Sequence, residues 1–116
     1  MANEYQKVRL AVSHGPDLHF DGKLLGEYTT QNRAGTKDRW TELRLWETPA
    51  GNWIAESVGC SSREREGEIR AAGVVEAAAG ETYGEAVREA MQIWQWTTAA
   101  KAFARELGWD IIQRVD

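Results

Sequence analysis

The chain has few of the residues that build several common protein classes. Its 116 residues include one cysteine, Cys60, and two prolines. A single cysteine excludes an internal disulfide framework and is typical of a reducing compartment, so we expect a cytoplasmic protein. No apolar run approaches the roughly 20 residues that a membrane-spanning helix needs, and the first residues lack the pattern of a secretory signal. We therefore expect no membrane association.

Positive charge is also in short supply. There are 14 lysines and arginines against 18 aspartates and glutamates, which gives a formal net charge of -4. Proteins that coat nucleic acid are usually basic, because binding depends on neutralising phosphates. The acidic balance disfavours that class and leaves only a local basic patch open. The length fits a single domain spanning residues 1–116, and 42% hydrophobic residues suffice for one core.

Fingerprints of catalysis are missing as well. The sequence has no phosphate-binding loop, dinucleotide fingerprint or nucleophile elbow. His14 and His19 stand near Asp17 and Asp21, but a structural zinc site needs four ligands, usually including cysteine, so we interpret them as turn histidines. Cys60 has no neighbouring base and is interpreted as a small apolar filler. We predict no catalytic residue, metal or cofactor, and hence no enzyme.

Alternating apolar residues predict strands over the first two-thirds of the chain, residues 5–76. Residues 8–12 form the first candidate strand. The dipeptide Asp21-Gly22 predicts a two-residue hairpin turn. The returning strand would span residues 23–30, with Leu24 and Tyr28 on one face.

The clearest hairpin lies around the turn at residues 48–52. Its strands span residues 39–48 and 53–60, and placing Trp46 opposite Ile54 brings Arg44 opposite Glu56, a favourable cross-strand pair. Residues 61–68 form a charged stretch, and residues 69–76 are a candidate final strand.

The last third of the chain reads as helical, over residues 82–108. Thr82 and Glu85 form a capping box, and Gly108 suits the position that follows a helix. Residues 83–107 form either one long helix or two short ones separated near Thr97, and the apolar tail 109–116 should dock on the core. Strands followed by helices predict an α+β fold: an antiparallel sheet of about four to six strands in hairpins, packed by these helices on one face.

Six tryptophans are many for this length. Tryptophan supplies core mass, but it is also enriched in the energetically dominant centres of interfaces. If Trp94 faces the sheet, Trp96 lies at the side of the helix or is exposed, because residues two apart differ by about 200°. A contact surface for a protein partner or a second copy (homodimer) is therefore expected, with four candidate residues: Ile93, Trp96, Trp40 and Trp46.

A nucleic-acid interface is the alternative. The hairpin geometry places residues 31–39 and 61–70 at the end opposite the turn at residues 48–52, close to Trp40. Arginine and aromatic side chains together suit single-stranded nucleic acid, whereas alternating Arg and Glu usually form a solvated loop. The candidate basic residues are Arg33, Lys37, Arg39, Arg63, Arg65 and Arg70.

The segment Arg39-Trp40-Thr41-Glu42-Leu43-Arg44-Leu45-Trp46-Glu47-Thr48-Pro49-Ala50-Gly51-Asn52-Trp53-Ile54 resembles the hairpin of the EXLDI family of small actinobacterial and phage proteins. The similarity spans roughly residues 20–60 and is confined to the hairpin region, since the name-giving motif is absent. It implies a small protein of phage or mobile-element origin and no catalytic residue. Together these observations predict a small, regulatory, non-enzymatic protein that binds and modulates a host protein.

Overall fold

The computed structural model describes residues 4–62, 69–76, 83–112 and 115. Within them an antiparallel sheet has the strand order β1-β2-β3-β4-β5 and is followed by two helices. This arrangement confirms the predicted α+β class. The elements are β1 (Gln6–Leu10), β2 (Leu18–Thr29), β3 (Arg39–Glu47), β4 (Trp53–Ser61), β5 (Ile69–Val75), α1 (Tyr83–Ile93) and α2 (Thr98–Glu106).

The central hairpin of β3 and β4 has the predicted register. Trp46 pairs with Ile54 and Arg44 pairs with Glu56. Two backbone hydrogen bonds close the turn between the strands. The amide of Thr48 donates to the carbonyl oxygen of Asn52, and the amide of Gly51 donates to the carbonyl oxygen of Thr48, both at 2.8 Å. Because side chains alternate across a strand, even-numbered residues of β3 share one face and odd-numbered residues share the other.

Strand β2 differs from the prediction in two ways. The hairpin turn predicted at Asp21-Gly22 is wrong, since β2 runs unbroken through this dipeptide and the chain reverses earlier, between β1 and β2. A bulge at Leu25 then inserts one extra residue between the pairs Leu24–Trp46 and Gly26–Leu45. The extra residue reverses the face of everything after it. Leu24 and Tyr28 therefore lie on opposite faces, not on one.

The face of the sheet that carries the odd-numbered residues of β3, here called the first face, is covered by both helices. An aromatic chain runs through this core: the rings of Trp53 and Trp109 stack at 5.1 Å, those of Trp109 and Trp94 at 5.8 Å, and Trp94 contacts Phe103 at 5.2 Å. Leu43, in the middle of β3, is 1% exposed beneath them. This is the larger of two hydrophobic clusters among the described residues, whereas the sequence predicted one core.

The opposite face, which carries the even-numbered residues of β3 and is here called the second face, has another, smaller core. Strand β1 and the first half of β2 pack across it, and the cluster contains Val8, Leu10, Trp46 and Ile54. The segment after β1 also reaches β5, where the amide of Ser13 donates to the carbonyl oxygen of Arg70 at 2.9 Å and the amide of Arg70 donates to Ser13 Oγ at 2.8 Å. The sheet is therefore curled, with β1 and β2 covering one end of its second face.

The helical segment forms two helices, which settles the alternative left open by the sequence. Between them Gln95 and Trp96 both have left-handed backbones, with φ of 61° and 52°. Thr97 then begins α2, its side chain accepting a hydrogen bond from the amide of Ala100 at 3.1 Å. The capping residue predicted for α1, Thr82, lies outside the described residues, as do residues 63–68 of the predicted charged stretch.

The tail docks only in part. Trp109 is buried and Ile111 is half-buried, whereas Ile112 and Val115 are 69% and 83% exposed. The expectation that Ile112 and Val115 dock on the core is wrong, because the core is already closed by Trp109. Among the described residues, neither helix has the length and apolar character that crossing a membrane requires.

Candidate functional site

A row of polar and aromatic side chains occupies the second face beyond the small core. Trp40, Glu42 and Arg44 alternate along β3 toward its start, and Glu56 and Cys60 face them from β4. These side chains share one face because the hairpin register pairs even-numbered residues of β3 with even-numbered residues of β4. We call Trp40, Glu42, Arg44 and Glu27 of β2 the Trp40 cluster.

Arg44 is the one cation of this cluster and it meets three carboxylates. Its Nη2 lies 2.6 Å from Glu42 Oε1, its Nε lies 3.6 Å from Glu27 Oε2, and its Nη1 lies 3.7 Å from Glu56 Oε2. The three carboxylates come from three neighbouring strands. Carboxylates therefore outnumber cations on this part of the sheet, and an approaching anion would be repelled.

Glu42 fixes the orientation of Trp40. The indole Nε1 of Trp40 donates to Glu42 Oε2 at 2.9 Å, and Cys60 Sγ lies 3.5 Å from the same oxygen. The pKa of the Glu42 carboxyl lies below its usual value, chiefly because Glu42 accepts the hydrogen bond from Trp40. The hydrogen bond from Cys60 and the charge of Arg44 lower this pKa further, whereas partial burial raises it. The carboxylate of Glu42 thus has both oxygens engaged by the protein itself.

Glu56 closes the row toward the small core. Its side chain is 5% exposed, and its Oε1 accepts a hydrogen bond from Trp46 Nε1 at 3.1 Å. Glu56 also contributes through its backbone, since its carbonyl oxygen accepts from Trp94 Nε1 on the helix side at 3.1 Å. Both faces of the sheet therefore hold this residue in place.

Trp40 is half-buried and is among the residues that line two open grooves. The first has a volume of about 420 Å³ and lies on the second face. The second has a volume of about 570 Å³ and lies at the end of the sheet, along Thr41, Gly59 and Ser61. The first groove is lined by Glu27, Tyr28, Thr29, Gln31, Trp40, Glu42, Leu43 and Arg44.

The structure separates the four candidate contact residues that the sequence proposed. Trp46 is buried in the small core, with its ring 6.1 Å from that of Phe20, so it presents no surface to a partner in this conformation. Ile93 is half-buried at Gly73, where an added Cβ would lie 2.7 Å from its Cδ1. Trp96 is 37% exposed. Trp40 lines both of the grooves described above.

Four of the six residues of the predicted basic edge lie within the described residues. Arg33, Lys37 and Arg39 are exposed, and Arg70 is half-buried on β5. Lys37 is tied to its own loop, because its Nζ donates to the carbonyl oxygen of Thr30 at 2.8 Å. Arg39 belongs to the odd-numbered face of β3, opposite Trp40. The remaining candidates, Arg63 and Arg65, lie outside the described residues.

The loop that carries Arg33 is ordered by its own side chains. Asn32 Oδ1 accepts from the amide of Thr36 at 2.9 Å, and Gln31 Oε1 accepts from the amide of Lys37 at 3.0 Å. Gly35 completes the turn with a left-handed backbone, φ 68°. These bonds hold Arg33 at the exposed tip.

Other candidate chemistry is dispersed. His14 lies in the exposed turn before β2, and His19 pairs with Arg9 between β1 and β2. Over residues 4–62, 69–76, 83–112 and 115, no three His, Cys, Asp or Glu side chains converge as metal ligands would. Cys60 is buried, and its Sγ lies 3.5 Å from Glu42 Oε2, so it is not the purely apolar filler that the sequence predicted.

Sequence reasoning missed the role of Glu27, because its position beside Arg44 depends on the bulge at Leu25. Without that bulge the parity of β2 would place Glu27 on the helix face. The pairing of Glu42 with Trp40 and Arg44 was visible as i, i+2 spacing on one strand face, a signal that does not by itself distinguish a network from solvated charges.

Comparison of the chain with protein-family models, with curated proteins and with solved structures finds no match. The resemblance of the hairpin to EXLDI proteins therefore stays a prediction.

Proposed function

We propose that this protein is a small, non-enzymatic protein-binding module of the cytoplasm and that Trp40 is its central contact residue. The observation that carries the proposal is that Trp40 lines two open grooves, with its indole N–H already bonded to Glu42. A tryptophan held in one orientation loses little conformational entropy on binding, which favours such residues as anchors of interfaces.

The surroundings of Trp40 suit a binding surface better than a reaction centre. The oxygens of Glu42 and the N–H of Trp40 are engaged within the protein, and Glu56 is buried behind them. A catalytic acid or base needs a proton-exchanging group within reach of a substrate. Following the resemblance of the hairpin to phage and mobile-element proteins, we propose that the partner is a host protein that this module modulates.

The test is affinity capture from a lysate of the source cells with three baits: the unaltered chain, Trp40→Ala and Trp96→Ala. We expect a partner that the unaltered chain and Trp96→Ala retain and that Trp40→Ala loses. Circular dichroism and a urea titration of each bait establish that the fold is intact. Loss with Trp96→Ala and retention with Trp40→Ala would move the contact surface to the helix junction and overturn the role of Trp40.

Binding of single-stranded nucleic acid is the second candidate, and the ordered loop that presents Arg33 favours it. Phosphates would be repelled by the carboxylates of the Trp40 cluster, so the contact would use Arg33 and Arg39 at the end of the sheet. Titration with labelled single-stranded and double-stranded DNA at low salt tests it. Binding that Arg33→Ala and Arg39→Ala weaken would support this function, and no binding at micromolar protein would remove it.

A further inference from the structure

We infer that the first groove beside Trp40 receives an arginine side chain of the partner protein. The inference rests on the proposed function and names the chemical group that the contact surface binds. The ligand is a planar cation because the residues that line the groove include an aromatic ring, Trp40, and a carboxylate with unused acceptor capacity, Glu27. Guanidinium groups both stack on aromatic rings and form paired hydrogen bonds with carboxylates.

The free acceptor is Glu27. Its side chain is 65% exposed, and it meets Arg44 only at 3.6 Å. A carboxylate has about four acceptor positions, so Glu27 retains room for a second cation. Glu42, by contrast, has one oxygen 2.6 Å from Arg44 Nη2 and the other bonded to Trp40 Nε1. A ligand cation therefore bonds to Glu27 and lies along Trp40.

The charges around this groove favour a cationic ligand over an anionic one. Three carboxylates surround Arg44, so the surface attracts a cation and repels phosphate or carboxylate. Two cations of the basic edge are not among the residues that line this groove: Lys37 Nζ is held at the Thr30 carbonyl oxygen, and Arg39 lies on the other face of β3. The groove volume of about 420 Å³ accommodates one long side chain.

The test uses two capped peptides, Gly-Arg-Gly and its neutral counterpart Gly-citrulline-Gly, titrated into the full-length ¹⁵N-labelled protein. The indole N–H resonance of Trp40, assigned through its loss in Trp40→Phe, is the readout. We expect the arginine peptide to shift this resonance in a saturable manner and the citrulline peptide to leave it unmoved at the same concentrations. Glu27→Gln should weaken the arginine affinity about two- to fivefold, the range of an exposed ion pair.

The matched control is Glu4→Gln, which removes another exposed carboxylate, one paired with Lys23 at 2.9 Å. It should leave the affinity of the arginine peptide unchanged. Equal shifts with both peptides, or equal losses in Glu27→Gln and Glu4→Gln, would overturn the arginine site. If the arginine site fails this test but Trp40→Ala still abolishes partner capture, the protein-binding function stands without an arginine site. The failure of the site and the failure of the function can therefore be distinguished.

Discussion

The indole Nε1 of Trp46 lies 3.1 Å from Glu56 Oε1, across the central pair of strands. Both side chains are buried, with 8% of Trp46 and 4% of Glu56 exposed. This hydrogen bond stands at the boundary between the apolar small core and the polar row that leads to Trp40. It links the stability of the curled sheet to the arrangement of the Trp40 cluster, because Arg44 contacts Glu56 from the other side.

Removing the carboxylate in Glu56→Ala should destabilise the fold strongly. The buried N–H of Trp46 would lose its acceptor and Arg44 would lose one of its three counter-charges, for a combined cost of about 2–4 kcal/mol. Equilibrium unfolding in urea measures the change. Glu56→Gln keeps an acceptor for Trp46 and should cost clearly less, whereas equal losses in both variants would show that charge, not the hydrogen bond, matters at this position.

The free energy of unfolding should fall in acid, in part because Glu42 takes up a proton. Its pKa is lowered in the folded state, chiefly by the Trp40 hydrogen bond, so the unfolded chain binds a proton more readily than the folded one. The stabilisation is present above the unfolded value of about 4.5 and is lost as pH falls through the lower folded value. Urea midpoints measured downward from pH 6 should drop less steeply in Glu42→Gln than in the unaltered chain. Parallel profiles would remove Glu42 as a source of the pH dependence.

Local patterning predicted some elements and failed at others for identifiable reasons. The register of Trp46 opposite Ile54 was predictable, because a short turn and alternating side chains fix how β3 and β4 meet. The bulge at Leu25 was not, since no sequence feature marks which residue of an apolar pair is left unpaired. That single residue determines the positions of Glu27 and Tyr28, and with them one wall of the candidate groove.

The second core was also beyond local patterning. Val8 and Leu10 were recognisable as one face of a strand, but the surface they cover depends on how strongly the sheet curls. Trp46 packs in this second core with Val8 and Leu10, whereas Trp40 is half-buried outside it. Candidate contact residues could therefore be named from the sequence, whereas their separation into buried and accessible ones required the three-dimensional structure.

The contact between Gly73 and Ile93 predicts a strong coupling between β5 and α1. An added Cβ at Gly73 would lie 2.7 Å from Ile93 Cδ1 and 3.1 Å from its Cγ1, so Gly73→Ala should push the helix residue aside and cost about 1–2 kcal/mol. In an Ile93→Ala background the same substitution should be neutral or stabilising, because alanine suits a strand better than glycine. A double-mutant cycle in urea measures the coupling.

Gly59→Ala is the control for that cycle. A Cβ at Gly59 would meet its nearest atom at 3.6 Å, an ordinary contact, so this substitution should change the free energy of unfolding little. A large loss in Gly59→Ala, or an undiminished loss for Gly73→Ala in the Ile93→Ala background, would contradict the steric explanation.

The ends of the two helices predict a stabilising substitution. Helix α2 ends with Gly108 in a left-handed conformation, its amide bonded to the Arg105 carbonyl and that of Trp109 to the Ala104 carbonyl. Helix α1 ends with the same pattern of hydrogen bonds, but Gln95 takes the place of the glycine. The amide of Gln95 bonds to the Gln92 carbonyl, and the amide of Trp96 bonds to the Met91 carbonyl. Glycine adopts this conformation without the steric cost that a Cβ imposes.

Gln95→Gly should therefore raise the free energy of unfolding by up to about 1 kcal/mol, since Gln95 is exposed and its side chain contributes little packing. Gly108→Ala, which introduces a Cβ at φ 76°, should lower it by a similar amount. Thermal and urea unfolding of both variants measure the two changes. Destabilisation by Gln95→Gly would contradict the steric account and point to a contribution from the glutamine side chain.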